Sequence, residues 1–144
     1  TITRGTGIMH SVFDGYEPQA GTISSRTNGA LVADRNGFAT AYSIENLEPR
    51  GHLFVQPGTE VYCGMIVGEH AKENDLNVNI VKPKKLTNMR SSTCDDTVVL
   101  ATPVIHTLES AMEWVKDNEA IEVTPKSIRL RRLYSGIVKT KKIA

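Results

Sequence analysis

Apolar residues along the chain fall into short runs separated by Gly, Pro, Asn and Asp. That spacing predicts many short strands rather than a helical bundle. Residues 30–33 and 38–44 are apolar runs flanking Asp34-Arg35-Asn36-Gly37, and an Asn-Gly pair readily adopts the positive φ angles of a hairpin turn. Further runs at 52–55 and 60–68 are divided by Pro57-Gly58, and Gly64 inside the second marks a bulge or a close backbone approach. Residues 77–81 predict a strand between loop-forming stretches. Residues 8–13 predict a short strand, ended by Asp14-Gly15 and Pro18, with too little apolar surface to stand alone.

One helix interrupts this pattern. Thr107 is a suitable N-cap, Glu109 suits the positive end of the helix dipole, and Leu108, Ala111, Met112 and Val115 recur at helical spacing before Asp117-Asn118. Residues 120–123 and 127–132 then predict two strands joined by Thr124-Pro125. In the second, Ile128 and Leu130 face one way and Arg129 and Arg131 the other. The expected fold is mainly β with one or two helices (α+β), built as a small antiparallel barrel or sandwich. Phe13, Phe38 and Phe54 all lie in apolar runs and are expected in the core.

At 144 residues the chain is long enough for one domain, or for one domain and the remnant of another. No apolar run approaches the roughly 20 residues of a membrane helix, and no signal peptide opens the chain. The first residue is Thr1, as expected of a fragment or a processed product. Cys63 and Cys94 are too few for a disulfide framework, so the expected setting is a reducing cytoplasm in which both stay thiols.

A net charge of +1 hides a strong polarisation. Lys126, Arg129, Arg131, Arg132, Lys139, Lys141 and Lys142 share residues 126–144 with no acid. Lys82, Lys84, Lys85 and Arg90 share residues 82–90 in the same way. Segregated charge of this kind is the pattern of an anion-binding face.

Enzymatic chemistry has little support. G-x-x-x-x-G-K-[ST] and G-x-G-x-x-G are both absent, and Gly5-Thr6-Gly7 lacks the third glycine and a following helix. His52, Cys63, His70, Cys94 and His106 show none of the close spacings of a structural zinc site. A Cys–His nucleophile pair would have to be assembled by the fold.

The irregular stretch 70–96 carries more chemistry. A long polar loop rarely persists in a compact domain without a role. Lys84 and Lys85 offer point charges to phosphates and Arg90 a bidentate fork, while Thr87 and Asn88 can hydrogen-bond to sugar hydroxyls or base edges. Lys72, Asn74 and Asp75 repeat those residue types upstream. Tyr134 lies beyond the arginine row, where it can stack on a base or cover the sheet edge.

Thr3-Arg4-Gly5-Thr6-Gly7-Ile8-Met9, Val61-Tyr62-Cys63-Gly64-Met65-Ile66-Val67-Gly68, Asn74-Asp75-Leu76, the Lys84–Arg90 segment and Val123-Thr124-Pro125-Lys126-Ser127-Ile128-Arg129 together resemble the TypA/BipA translational GTPases, in order, from residue 3 to about 132. The resemblance implies that residues 1–20 end an elongation-factor-G-like fifth domain and that 21–144 form the family-specific C-terminal domain. It implies no cofactor in this chain, with GTP and Mg in an N-terminal domain of the parent. The implied partners are the ribosome, through large-subunit RNA and the acceptor end of A-site transfer RNA. The implied roles lie in translation, ribosome assembly and stress response, in a cytoplasmic monomer without membrane contact. Carried over by motif, the RNA-binding residues are Lys72, Asn74, Asp75, Lys84, Lys85, Thr87, Asn88 and Arg90, with Lys126, Arg129 and Arg131 as a second set. Two other classes stand beside this: a protein-docking module without RNA contact, whose affinity would change little with salt, and a small hydrolase using Cys63 or Cys94.

Overall fold

A computed structural model describes residues 6–18, 21, 26–84 and 99–133. The elements run β1 (Ala30–Ala33), β2 (Gly37–Phe38), α1 (Ala41–Leu47), a 3-10 turn (Glu48–Arg50), β3 (Gly51–Leu53), β4 (Glu60–Val61), β5 (Met65–His70), β6 (Leu76–Val78), α2 (Leu108–Trp114), β7 (Glu119–Val123) and β8 (Ile128–Arg132). The main sheet has the order β6-β1-β5-β8-β7, with β3 also paired to β5, and β2 and β4 form a separate pair. Its pairs are antiparallel except β1 with β6, which is parallel. The α+β expectation holds, with two helices. Among the described residues no helix is long and apolar enough to cross a membrane.

β1 and β5 are buried on both faces, which explains their continuous apolar runs. Leu31, Ala33, Met65 and Val67 join Ile44 and Leu47 of α1, Val61, Val78 and Ile80 in one core. Ala30, Val32, Ile66 and Leu130 form the other with Ala111 of α2, and Phe54 and Trp114 pack against it. Each fully buried Leu, Ile or Val here contributes about 1.5–3 kcal/mol.

Several expected elements come out differently. Residues 34–37 do not close a hairpin, because β1 pairs with β5 and β6 while β2 pairs with β4. The Asn36 side chain instead accepts a hydrogen bond from the Cys63 backbone N–H at 2.8 Å. The expected strand at 38–44 is mostly helix α1, started by Thr40, whose hydroxyl accepts from the Ser43 N–H. The run at 60–68 is broken in two, because Gly64 takes a left-handed φ of 90° between β4 and β5. Residues 8–13 form no strand. Phe13 and Phe38 are exposed rather than core, and only Phe54 is drawn inward.

The helix at 107 is capped as expected: the Thr107 hydroxyl accepts from the Ser110 N–H. The Glu109 carboxylate, hydrogen-bonded to its own backbone N–H and to Thr107, is held below its ordinary pKa. The helix ends at Trp114, short of Asp117, and Val115 is extended. Of the residues at helical spacing only Ala111 is buried, while Met112 lies open.

Candidate nucleic-acid interface

The upstream cluster sits on the turn between β5 and β6. Lys72 and Asn74 are exposed there, but their backbones are fixed. The Lys72 carbonyl accepts from the Gly29 N–H at 2.7 Å, and the Asn74 carbonyl accepts from Nδ1 of the buried His70 at 2.5 Å. A Cβ on Gly29 would lie 2.2 Å from the Asn74 oxygen, so only glycine fits against this turn. Asp75 is half-buried and engaged in the fold. One carboxylate oxygen accepts from the Ala30 N–H at 2.7 Å and the other pairs with Arg132. The turn thus presents the Lys72 cation, the Glu73 carboxylate beside it and the Asn74 amide on a backbone fixed by hydrogen bonds.

Beyond β6 the chain is pinned to α1. The Lys82 carbonyl accepts from the Thr40 hydroxyl at 2.7 Å and from the Ser43 hydroxyl at 2.8 Å. Lys84 is exposed two residues later. Lys85, Thr87, Asn88 and Arg90 lie outside the described residues, as do Cys94 and Tyr134. The chain is described again from Val99, and the Ala101 N–H donates to Glu48 at 2.7 Å, just past the other end of α1. A helix of seven residues is about 10 Å long. The described residues Lys82 and Ala101, on either side of 85–98, are therefore held at the two ends of one short helix.

The second set lies on the β7–β8 hairpin, where Glu122 faces Arg129 and Ala120 faces Arg131 across the ladder. Leu130 is buried, Arg131 exposed and Arg129 half-buried, in keeping with the alternation in the sequence. Tyr62 shares this neighbourhood. Its hydroxyl donates to Glu122 at 2.7 Å, and its pKa is pushed up to about 12 by burial and by that carboxylate, against the opposing pull of Arg131 and Arg129. From β6 to β8 is three strand spacings, roughly 14 Å. The first set of sequence-predicted residues thus sits on the β5–β6 turn and the second on the β7–β8 hairpin, and the Asp75–Arg132 ion pair joins the two.

Sequence reasoning missed a cleft beside the second set. β3 and β8 lie end to end along the same edge of β5: Gly51–Leu53 pair with residues 68–70, and Leu130 and Arg131 with Ile66 and Met65. The Phe54 N–H still bonds the Val67 carbonyl, and β8 joins that edge from Leu130 onward, so a gap lies where the two strands meet. The gap of about 340 Å³ is walled by Phe54 and Gln56 on one side and by Lys126, Ile128 and Arg129 on the other. Residues 104–106, held to β3 by the Val104 N–H to Leu53 carbonyl bond, close it below. These residues come from three separated stretches, and only the Lys126–Arg129 stretch carries a signal in the sequence.

His106 separates this cleft from a second recess, lined by Arg26, Glu69, Glu113 and Trp114. Its ring meets Phe54 edge-on at 4.4 Å, and its Nδ1 is 2.8 Å from the Ser110 hydroxyl. Burial pulls its pKa below the ordinary histidine value against the raising effect of Glu69, which favours the neutral ring.

Comparison with known proteins places these features in a family. The TypA/BipA C-terminal domain family model matches residues 28–136. The large ribosomal subunit assembly factor BipA of Bacillus subtilis (strain 168) is 51% identical over 133 residues, and its counterpart in Synechocystis sp. is 48% identical over 132. The protein of that name in Haemophilus influenzae is 47% identical over 133 residues. Each alignment covers 92% of this chain and 22% of the relative, so the chain spans about a fifth of the length of the curated relatives it matches.

Proposed function

Because the chain belongs to the TypA/BipA family by its match over residues 28–136, we propose that it is the RNA-binding end of a large-subunit assembly factor. In this reading it contacts ribosomal RNA and the acceptor end of A-site transfer RNA through the 70–90 region. Residues 1–20 end the preceding domain, and GTP hydrolysis with its Mg²⁺ belongs to a domain outside this chain, which itself lacks the phosphate-binding loop.

The observation that carries the proposal is the anchoring of the basic segment. Lys84 is exposed two residues after the Lys82 carbonyl, which the hydroxyls of Thr40 at the α1 N-cap and of Ser43 hold, and Ala101 is held by Glu48 at the other end of that helix. A basic segment fastened at both ends loses less freedom on binding than a tethered tail, so more of each phosphate contact is retained as affinity. Lys72 and Asn74, on their fixed turn, supply a second point of contact. Arg129 and Arg131 supply a third from the β7–β8 hairpin.

The test is binding of the chain to purified large ribosomal subunits across a salt series, beside a Lys84→Ala/Lys85→Ala/Arg90→Ala variant. Wild-type binding should weaken steeply with salt, and each lost phosphate contact should lower the log–log slope by roughly 0.7–0.9. Salt-insensitive binding, or equal binding by both proteins, would favour the protein-docking alternative.

A further inference from the structure

We propose that the cleft between β3 and β8 receives a single unstacked nucleotide of RNA, with its base against the apolar walls and its phosphate at the basic rim. This rests on the RNA-binding reading above and adds a site, a ligand unit and a different set of residues to it.

Three features of the cleft select that occupant. Its volume, about 340 Å³, is at the small end of ligand clefts, which span roughly 300–1,000 Å³. One nucleotide suits it better than a stacked pair. Its charge is of one sign: Lys126 and Arg129 line it, and among the described residues no carboxylate does. The recess on the other side of His106 contrasts with it, since Glu69 and Glu113 share that space with Arg26.

The third feature is the division of the lining. Ile105 is 77% exposed and Val104 is 44% exposed, open apolar surface in the lining beside Ile128. Polar groups share the lining with the two cations: the Gln56 amide and Lys126 are exposed, and Thr59, Ser127 and Arg129 are half-buried. A planar, apolar-faced base bearing a hydrogen-bonding edge and an anionic phosphate matches that distribution, and unstacked bases are what single-stranded RNA offers. Ser127 is held in place by the turn, where its N–H donates to Thr124, its carbonyl accepts from Thr124 and its hydroxyl lies 3.1 Å from the Thr124 hydroxyl. Arg129 is restrained by its strand, whereas Lys126 leaves from the turn and can follow the phosphate.

The experiment is amide chemical-shift mapping on the full chain with adenosine monophosphate and then with a short oligo(A), for wild type, Ile105→Asp and Lys126→Ala. Ile105→Asp puts a charge on the apolar surface that receives the base, at an exposed position, so unfolding should be unaltered. Both ligands should shift Gln56, Ile105, Ser127 and Arg129 saturably. Ile105→Asp should weaken oligo(A) binding by at least about fivefold, the lower end of what one base contact is worth, and Lys126→Ala should lower the salt slope by roughly 0.7. The same variants are assayed for binding to large subunits. Salt-sensitive subunit binding that is unchanged in Ile105→Asp, with no cleft shifts from either ligand, overturns the cleft and leaves RNA binding standing. Salt-insensitive subunit binding overturns the parent reading instead. Cleft shifts produced by a Phe/Glu peptide and not by nucleotides overturn the assignment in favour of a protein ligand.

Discussion

The β7–β8 hairpin and the approach to residue 85 are both rich in cations, and the fold treats them differently. On the hairpin, Glu122 stands opposite Arg129, the phenol of Tyr62 is bonded to the same carboxylate, and Arg132 pairs with Asp75. Among the described residues no ion pair holds Lys72 or Lys84, although both are exposed. Arg26 goes further than the hairpin. Its guanidinium forks onto Glu119 at 2.8 and 3.2 Å, lies 3.6 Å over the Trp114 ring and is almost wholly buried. The lesson is that the cations of this chain form a series, from a core component to bare surface charge. Only the bare end of the series has its full potential available to an external anion.

The largest effect should come from the buried end. Among the described residues, Arg26→Ala leaves the buried Glu119 carboxylate with one donor, the Lys116 N–H at 3.0 Å. Removing one member of a buried pair typically costs about 3–5 kcal/mol, and denaturant unfolding should register a loss of that order. Arg26→Lys should recover little of it, because a lysine lacks the fork and stacks less well on the indole. A midpoint equal to wild type would erase the distinction between Arg26 and the surface cations.

Arg132 is the intermediate case. Its side chain and that of Asp75 are 19% and 25% exposed, and Asp75 also holds the Ala30 N–H. Arg132→Ala should cost about 1.5–3 kcal/mol, the range for a charge-assisted bond in a sheltered site. Arg131→Ala, one residue away on the exposed face, should stay within about 0.5 kcal/mol. Equal losses would mean that the alternation of the strand does not decide which arginine is structural. Lys84→Ala belongs at the bare end. It should leave stability within about 0.5 kcal/mol of wild type while flattening the salt dependence of subunit binding.

That ordering bears on what could be read before the fold was known. The period-2 alternation of residues 127–132 separated Arg129 and Arg131 from Leu130, and Thr107 marked α2, because both signals are local. α1 escaped notice because seven residues show barely two turns, and its buried Ile44 and Leu47 sit in a run that also suits a strand. The parallel β1–β6 pair joins Leu31 to Leu76, a pairing that no short-range pattern encodes. At the candidate site, Lys72 and Lys84 could be picked out by charge alone. The structural duty of Asp75 could not, since its partners are Ala30 and Arg132, 45 and 57 residues away. The β3–β8 cleft has the same cause: Phe54, Ile105 and Lys126 meet only once β3 and β8 share an edge of β5.

The smallest effect, and the finest probe of the hairpin, is the Tyr62 phenol. Burial and Glu122 raise its pKa to about 12, while Arg131 and Arg129 pull the other way. A phenol whose pKa is raised in the fold keeps a proton that the unfolded chain releases near 10. The stability it contributes is therefore complete below about pH 10 and fades as pH rises towards 12. Ultraviolet titration of the folded chain should show one late tyrosinate component near 12, absent in Tyr62→Phe. Glu122→Gln should bring that component to lower pH by removing the charged acceptor. Arg131→Ala should move it higher, because a cation that favours the phenolate has gone. If Arg131→Ala left it in place, the arginine would be fully screened from the hairpin by solvent, and the contrast with bare Lys84 would disappear.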